Sequence, residues 1–172
     1  MKLLLLLTSF VVTTSIYTLQ FADTDGNVVN MSSYQNKKIL LVNIATNGAR
    51  VNQLAGLQQL HQQYGDSVVI IAFPSNSFGH EPRSNAEIKQ FCQNNYSVSF
   101  KIAAKNPVTG TGIQSIYYWL AHTSENGVMN GTIGGDFQKY LIDKNGLLVG
   151  VFAPSVAPTD SLIVEALTSS YN

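Results

Sequence analysis

Cysteine is nearly absent from this 172-residue chain, where Cys92 stands alone. A single thiol excludes any disulfide within the chain and any cysteine-built zinc site. Histidine is almost as scarce. His61, His80 and His122 are scattered with no ligand pair at helical spacing, so no metal site is expected, and His80-Glu81-Pro82 lacks a second ligand. Charged residues make up only 12%, with ten of each sign and a formal net charge of zero. No basic stripe is available to neutralise phosphates, which argues against nucleic-acid binding. The chain also lacks a run of about twenty apolar residues that could span a membrane. It has no internal repeat, linker or low-complexity stretch.

What is present is 45% hydrophobic residues, in a length suited to one domain with a sizeable core. That content is enough to offset the entropy of ordering the chain. At the start, Met1 and Lys2 precede an apolar run from Leu3 to Leu7, continued by Phe10, Val11 and Val12 and followed by Thr13, Thr14 and Ser15. One positive charge, about ten mostly apolar residues and then small ones read as a secretory signal peptide. The expectation is a leader over residues 1–16, a domain over 17–172 and a secreted or periplasmic protein that begins near Ile16 or Tyr17. The alternative is a first strand of the domain.

Strands and helices then alternate. Residues 17–22 lead through Asp23-Thr24-Asp25-Gly26-Asn27 into Val28 and Val29, and Asp-Gly between short apolar stretches predicts a hairpin. Residues 38–45 (KILLVNIA) and 67–73 (SVVIIAF) are apolar runs suited to buried central strands. Between them Leu54, Leu57, His61 and Tyr64 share one face of a helix over 52–64 that Gly65 ends. Ser84 and Glu87 form a capping box that opens a helix through about residue 94. Residues 98–103 read as a short strand and 113–122 as a helix carrying Trp119. Residues 137–143 and 147–152 are strands around an Asn145-Gly146 turn, and 161–169 form the last helix. This order predicts an α/β domain with a mixed central sheet flanked by helices and an N-terminal β-hairpin.

Four collinear segments carry a more specific likeness. They are Leu41-Val42-Asn43-Ile44-Ala45-Thr46; Phe73-Pro74-Ser75-Asn76-Ser77-Phe78-Gly79 with Glu81-Pro82; NAEIKQFC from Asn85 to Cys92 with Gln93-Asn94-Asn95-Tyr96; and FQKYLIDKNG from Phe137 to Gly146 with Phe152-Ala153-Pro154. Together they resemble the glutathione peroxidase family, with the second segment one residue shorter before its Glu-Pro pair. The resemblance implies a thioredoxin-like fold, no cofactor, and a peroxidatic cysteine or selenocysteine at a helix N-terminus after the first central strand. A thiolate attacks the peroxide, and a helix N-terminus favours the thiolate. The resemblance places that nucleophile on Gly48, in Asn47-Gly48-Ala49-Arg50. It places the family's supporting Gln on Ser77, its Trp on Gly135, its Asn on Asp136, and the alternative cysteine of some members on Ser75. No cysteine precedes Cys92, so no shift of register restores the nucleophile.

The expectation is therefore an exported, non-catalytic homologue that acts by binding a protein or a small molecule. Cys92 resembles the resolving cysteine of thioredoxin-dependent relatives, but without a partner thiol the cycle cannot close within one chain. Free cysteine is usually buried, and that is the plainer expectation here. The rival is a divergent peroxidase using Cys92 with glutathione or thioredoxin as external reductant, which requires an exposed, electropositive setting near Lys89. Asn47, Gly48 and Arg50 are candidate ligands for a small anion at a helix N-terminus, or Arg50 is a plain surface residue. Tyr117, Tyr118 and Trp119 are consecutive, so part of that cluster must face outward.

Overall fold

The computed structural model describes residues 13–169. The apolar run of the expected leader, up to residue 12, lies outside the described residues. Among the described residues seven strands form, β1 (Gln20–Ala22), β2 (Val28–Asn30), β3 (Lys38–Ile44), β4 (Val68–Pro74), β5 (Lys101–Ile102), β6 (Lys139–Ile142) and β7 (Leu148–Phe152). Strands β1 and β2 make the expected antiparallel hairpin, and the other five make one sheet in the order β5-β4-β3-β6-β7. Within it β3 runs parallel to β4 and antiparallel to β6, so the sheet is mixed as expected.

Every residue of β3 is buried because both faces of the sheet are covered. Alternate side chains divide the core in two. Leu40, Val42 and Ile44 face helices α1 (Gln53–Tyr64), α2 (Asn85–Tyr96) and α5 (Ser161–Thr168) through Leu54, Leu57, Ile88, Cys92, Ile163 and Leu167. Ile39 and Leu41 face α3 (Ser115–Ala121) and the N-terminal hairpin through Ile116, Tyr117, Trp119, Phe21 and Met31.

Several boundaries differ from expectation for physical reasons. The strand expected over 98–103 contracts to Lys101–Ile102, because β5 is an edge strand that pairs only with Ile71 and Ala72. On α1 the inward residues are Leu54, Leu57, Gln58 and Leu60, while His61 and Tyr64 are only half-buried. The Gln58 amide tolerates burial because it donates to Ser99 Oγ at 3.0 Å and accepts from Ser99 N at 2.9 Å. Of the aromatic trio, Tyr117 and Trp119 are buried and Tyr118 faces outward. A short fourth helix, α4 (Thr123–Asn126), follows α3 without a clear sequence signal. The capping box at Ser84 and Glu87 forms as expected.

Residues 14–16 also pack against the domain. Ile16 is fully buried, Thr14 N donates to Glu125 O at 3.0 Å, and Trp119 Nε1 donates to Thr14 O at 2.6 Å. Tyr17 then packs against the β6–β7 turn. Gly146 there has φ +86°, and a Cβ would lie 2.7 Å from the Tyr17 ring. Glycine is needed at that turn on both counts.

Candidate functional site

Three loops meet at the carboxyl end of β3: residues 45–52 after β3, 75–84 after β4, and 131–138 before β6. A buried carboxylate fastens the first two. Glu81, wholly inaccessible, accepts from Thr46 N at 2.6 Å, Thr46 Oγ1 at 2.7 Å and Arg83 N at 3.2 Å. The guanidinium of Arg83 also donates to Thr46 Oγ1 at 2.8 Å and lies 4.5 Å over the Phe91 ring. Charge-assisted bonds of this kind are the strong ones, and they explain the Glu-Pro pair as a latch between loops.

The third loop is tied down by Asn43 at the end of β3. Its Nδ2 donates to Gly135 O at 2.8 Å, and its own carbonyl accepts from Phe137 N at 2.7 Å. Phe137 is fully buried at φ +68°, a conformation rare for a bulky side chain. Gly135 has φ +147°, which an L side chain rarely adopts. The backbone at the position that the resemblance gives to tryptophan is thus set for glycine, although only Pro154 stands near a would-be Cβ, at 3.7 Å.

Between these loops lies Gly48, buried, with its N–H donating to Ala45 O at 3.4 Å. A Cβ at this position would sit 3.4 Å from Asp136 Oδ2. Asp136 is 5% exposed, and its Oδ2 lies 2.7 Å from Nδ1 of the half-exposed His80. The His80 carbonyl accepts from Asn47 N at 3.1 Å, so His80 touches all three loops. Asp136 Oδ1 and Asn43 Oδ1 are buried with no hydrogen-bond partner among the described residues.

The four positions assigned to the reaction centre therefore do not form one cluster of side chains. Gly48 and Asp136 face each other, and Gly135 contributes a carbonyl. Ser77 Oγ is turned elsewhere, accepting from Ser75 Oγ at 3.0 Å and Val108 N at 3.1 Å. Gly48 also lies in a turn five residues before α1 begins at Gln53, so it is not itself a helix N-terminus. The anion reading of Asn47, Gly48 and Arg50 is opposed by the adjacent Asp136 carboxylate. Arg50 is exposed and takes part in no ion pair among the described residues.

Two buried ionisable groups border this region. Cys92 is wholly inaccessible on α2, and burial first, then the Glu81 charge, pushes its thiol up to about 12. That is the setting of a core residue and not of a reactive thiol. Lys139 is also wholly inaccessible, with Nζ donating to Gln53 Oε1 and to the carbonyls of Val156 and Pro154. Burial, with a smaller contribution from the Arg50 charge, lowers its pKa to about 8. The His80–Asp136 pair was not foreseeable from either residue alone.

The model of the family described as glutathione peroxidase matches residues 16–121. A glutathione peroxidase of Lactococcus lactis is 36% identical over 138 residues, covering 79% of this chain and 87% of its own. Glutathione peroxidase-like peroxiredoxin 2 of Saccharomyces cerevisiae is 35% identical over 149 residues, covering 86% and 92%. Among solved structures, Trgpx in apo form superposes with a TM-score of 0.68 at 26% identity, covering 91% of this chain and 97% of that one.

Proposed function

The chain belongs to the glutathione peroxidase family, and from that premise we propose that it is an exported member that has lost hydroperoxide reduction and acts by binding. One observation carries the reading. Where the resemblance places the nucleophile there is no side chain, and the space next to it faces the Asp136 carboxylate at 3.4 Å. Peroxide reduction by this family's route needs a thiolate or selenolate that attacks one peroxide oxygen and expels the other. Neither a glycine nor an Asp–His pair can take up that oxygen. Cys92 offers no substitute. Burial pushes its thiol up to about 12, so it stays protonated at neutral pH, and the thiol has no access to solvent.

What the three loops present instead is the half-exposed imidazole of His80, backed by the buried carboxylate of Asp136. That chemistry suits a ligand that donates hydrogen bonds, in place of an anion. The loops keep their shape through Glu81, Asn43 and the strained Phe137, so the binding surface is preorganised without any catalytic group.

The test is direct. Purified protein is mixed with hydrogen peroxide or a lipid hydroperoxide, with glutathione or thioredoxin as reductant. No turnover above the uncatalysed reaction is expected. Turnover that disappears in Cys92→Ser would overturn the proposal and establish Cys92 as the redox group.

A further inference from the structure

The segment that sequence reading assigns to the end of the leader is built into the folded domain. Thr14 is held three ways. Its N–H donates to Glu125 O at 3.0 Å, its Oγ1 donates to Glu125 Oε2 at 2.6 Å, and its carbonyl accepts from Trp119 Nε1 at 2.6 Å. Trp119 is the chain's single tryptophan and is 2% exposed, so its indole N–H has no route to bulk water. Two residues on, Ile16 is wholly buried in the core half formed by Phe21, Met31 and Trp119. Ser15 caps the short 3-10 turn Ile16–Thr18 by accepting from Tyr17 N. Thr13 lies directly over Gly127, whose φ is +72° and where a Cβ would lie 2.9 Å from Thr13 Cγ2. A side chain at position 127 would push the segment away.

Truncation tolerance follows from the burial and hydrogen bonding of the backbone removed, not from sequence position. A cut after Ser15 or Ile16 would delete the acceptor of a buried indole N–H. It would also place a charged ammonium on a wholly buried residue or remove that residue from the core. A cut before Thr14 does neither, and an ammonium on Thr14 would face the Glu125 carboxylate favourably. We infer that the mature protein begins at or before Thr14, so that the processing site lies upstream of the residue 15–17 junction suggested by the small residues Thr13, Thr14 and Ser15. The α3–α4 hairpin, through Trp119, Glu125 and Gly127, is the clamp that receives the retained N-terminus. The inference rests on the export proposal only for there being a processing event; the clamp itself does not need one.

The full chain, with its own leader, would be produced in a secreting bacterial host and the folded protein collected from periplasm and medium. Its first residue would be read by intact mass and terminal peptide sequencing. A processed N-terminus at Thr14 or at a residue between Met1 and Thr14 is expected. A folded product beginning at Ser15, Ile16 or Tyr17 would overturn the inference. Recovery of the chain only from the cytoplasm with Met1 intact would sink the export proposal while leaving the clamp standing.

A second measurement addresses the clamp. Trp119→Phe keeps an aromatic ring but removes the donor to Thr14, and it should speed trimming of Thr14 from the folded protein by an aminopeptidase about fivefold. An unchanged rate would show that Trp119 does not hold the segment.

Discussion

Replacing Gly48 with cysteine would put a thiol where the family resemblance expects one, and the structure determines how that thiol behaves. Its Cβ would stand 3.4 Å from Asp136 Oδ2, with no steric bar to the substitution. A thiolate about 4 Å from a carboxylate meets a repulsion of about 4 kcal/mol at the effective dielectric of a protein surface. At about 1.4 kcal/mol per unit, this is up to roughly three pKa units. The sign is upward, because the neighbour is an anion and disfavours the charged form of the thiol. The hydrogen bond that the same carboxylate makes with His80 Nδ1 at 2.7 Å offsets part of this. The net rise expected is about one to two units above the ordinary thiol value of about 8.5. The assay is the pH dependence of iodoacetamide alkylation in a Cys92→Ala background, with hydroperoxide turnover measured in parallel. Gly48→Cys should alkylate slowly at neutral pH and show little turnover. Adding Asp136→Asn should bring the thiol pKa back down by about one to two units. An introduced thiol that titrates below its ordinary value with Asp136 intact, or a pKa indifferent to Asp136→Asn, would refute the reasoning.

Two further outcomes test the scaffold. Glu81→Gln replaces an acceptor of three hydrogen bonds with a group whose amide must face a donor, and it should cost about 2–4 kcal/mol in urea unfolding. Lys139 has a folded pKa lowered to about 8 from an ordinary 10.5. Between those values the unfolded chain binds more protons than the folded one, so stability gained from this group should rise with pH. The unfolding free energy of the native protein, relative to Lys139→Met, should therefore increase by up to about 3 kcal/mol from pH 8 to about 10.5. A flat difference across that window would mean that the three acceptors around Nζ hold the ammonium charged.

The elements that the sequence declares most clearly are those whose burial or local chemistry is complete within a few residues. The runs containing Leu40 and Ile70 could only be central strands, and Ser84 with Glu87 announces a helix start that the structure reproduces. Legibility fails where a residue's state depends on a distant partner. Whether residues 98–103 pair fully depends on a neighbouring strand edge, and the burial of Gln58 depends on Ser99, forty-one positions away. Residues 13–15 show the same dependence. Thr13, Thr14 and Ser15 have the composition of a cleavage region, yet Thr14 is hydrogen-bonded to Glu125 and Trp119, more than a hundred residues downstream.

The site combines both situations. That Gly48 cannot be a nucleophile is a statement about one residue and needs no structure. That a carboxylate faces it depends on the loop carrying Asp136 being folded back by Asn43, and on Phe137 being held at φ +68°. A strained, buried aromatic costs of order 1–3 kcal/mol, and it persists only where its surroundings fix it. Here those surroundings are the same contacts that present Asp136 to His80. A loop with nothing to hold would be expected to relax that strain. Strain held at φ +68° beside Gly48 is what the proposed binding surface requires. Competition between a bound ligand and alkylation of the thiol introduced by Gly48→Cys would locate that binding at Asp136.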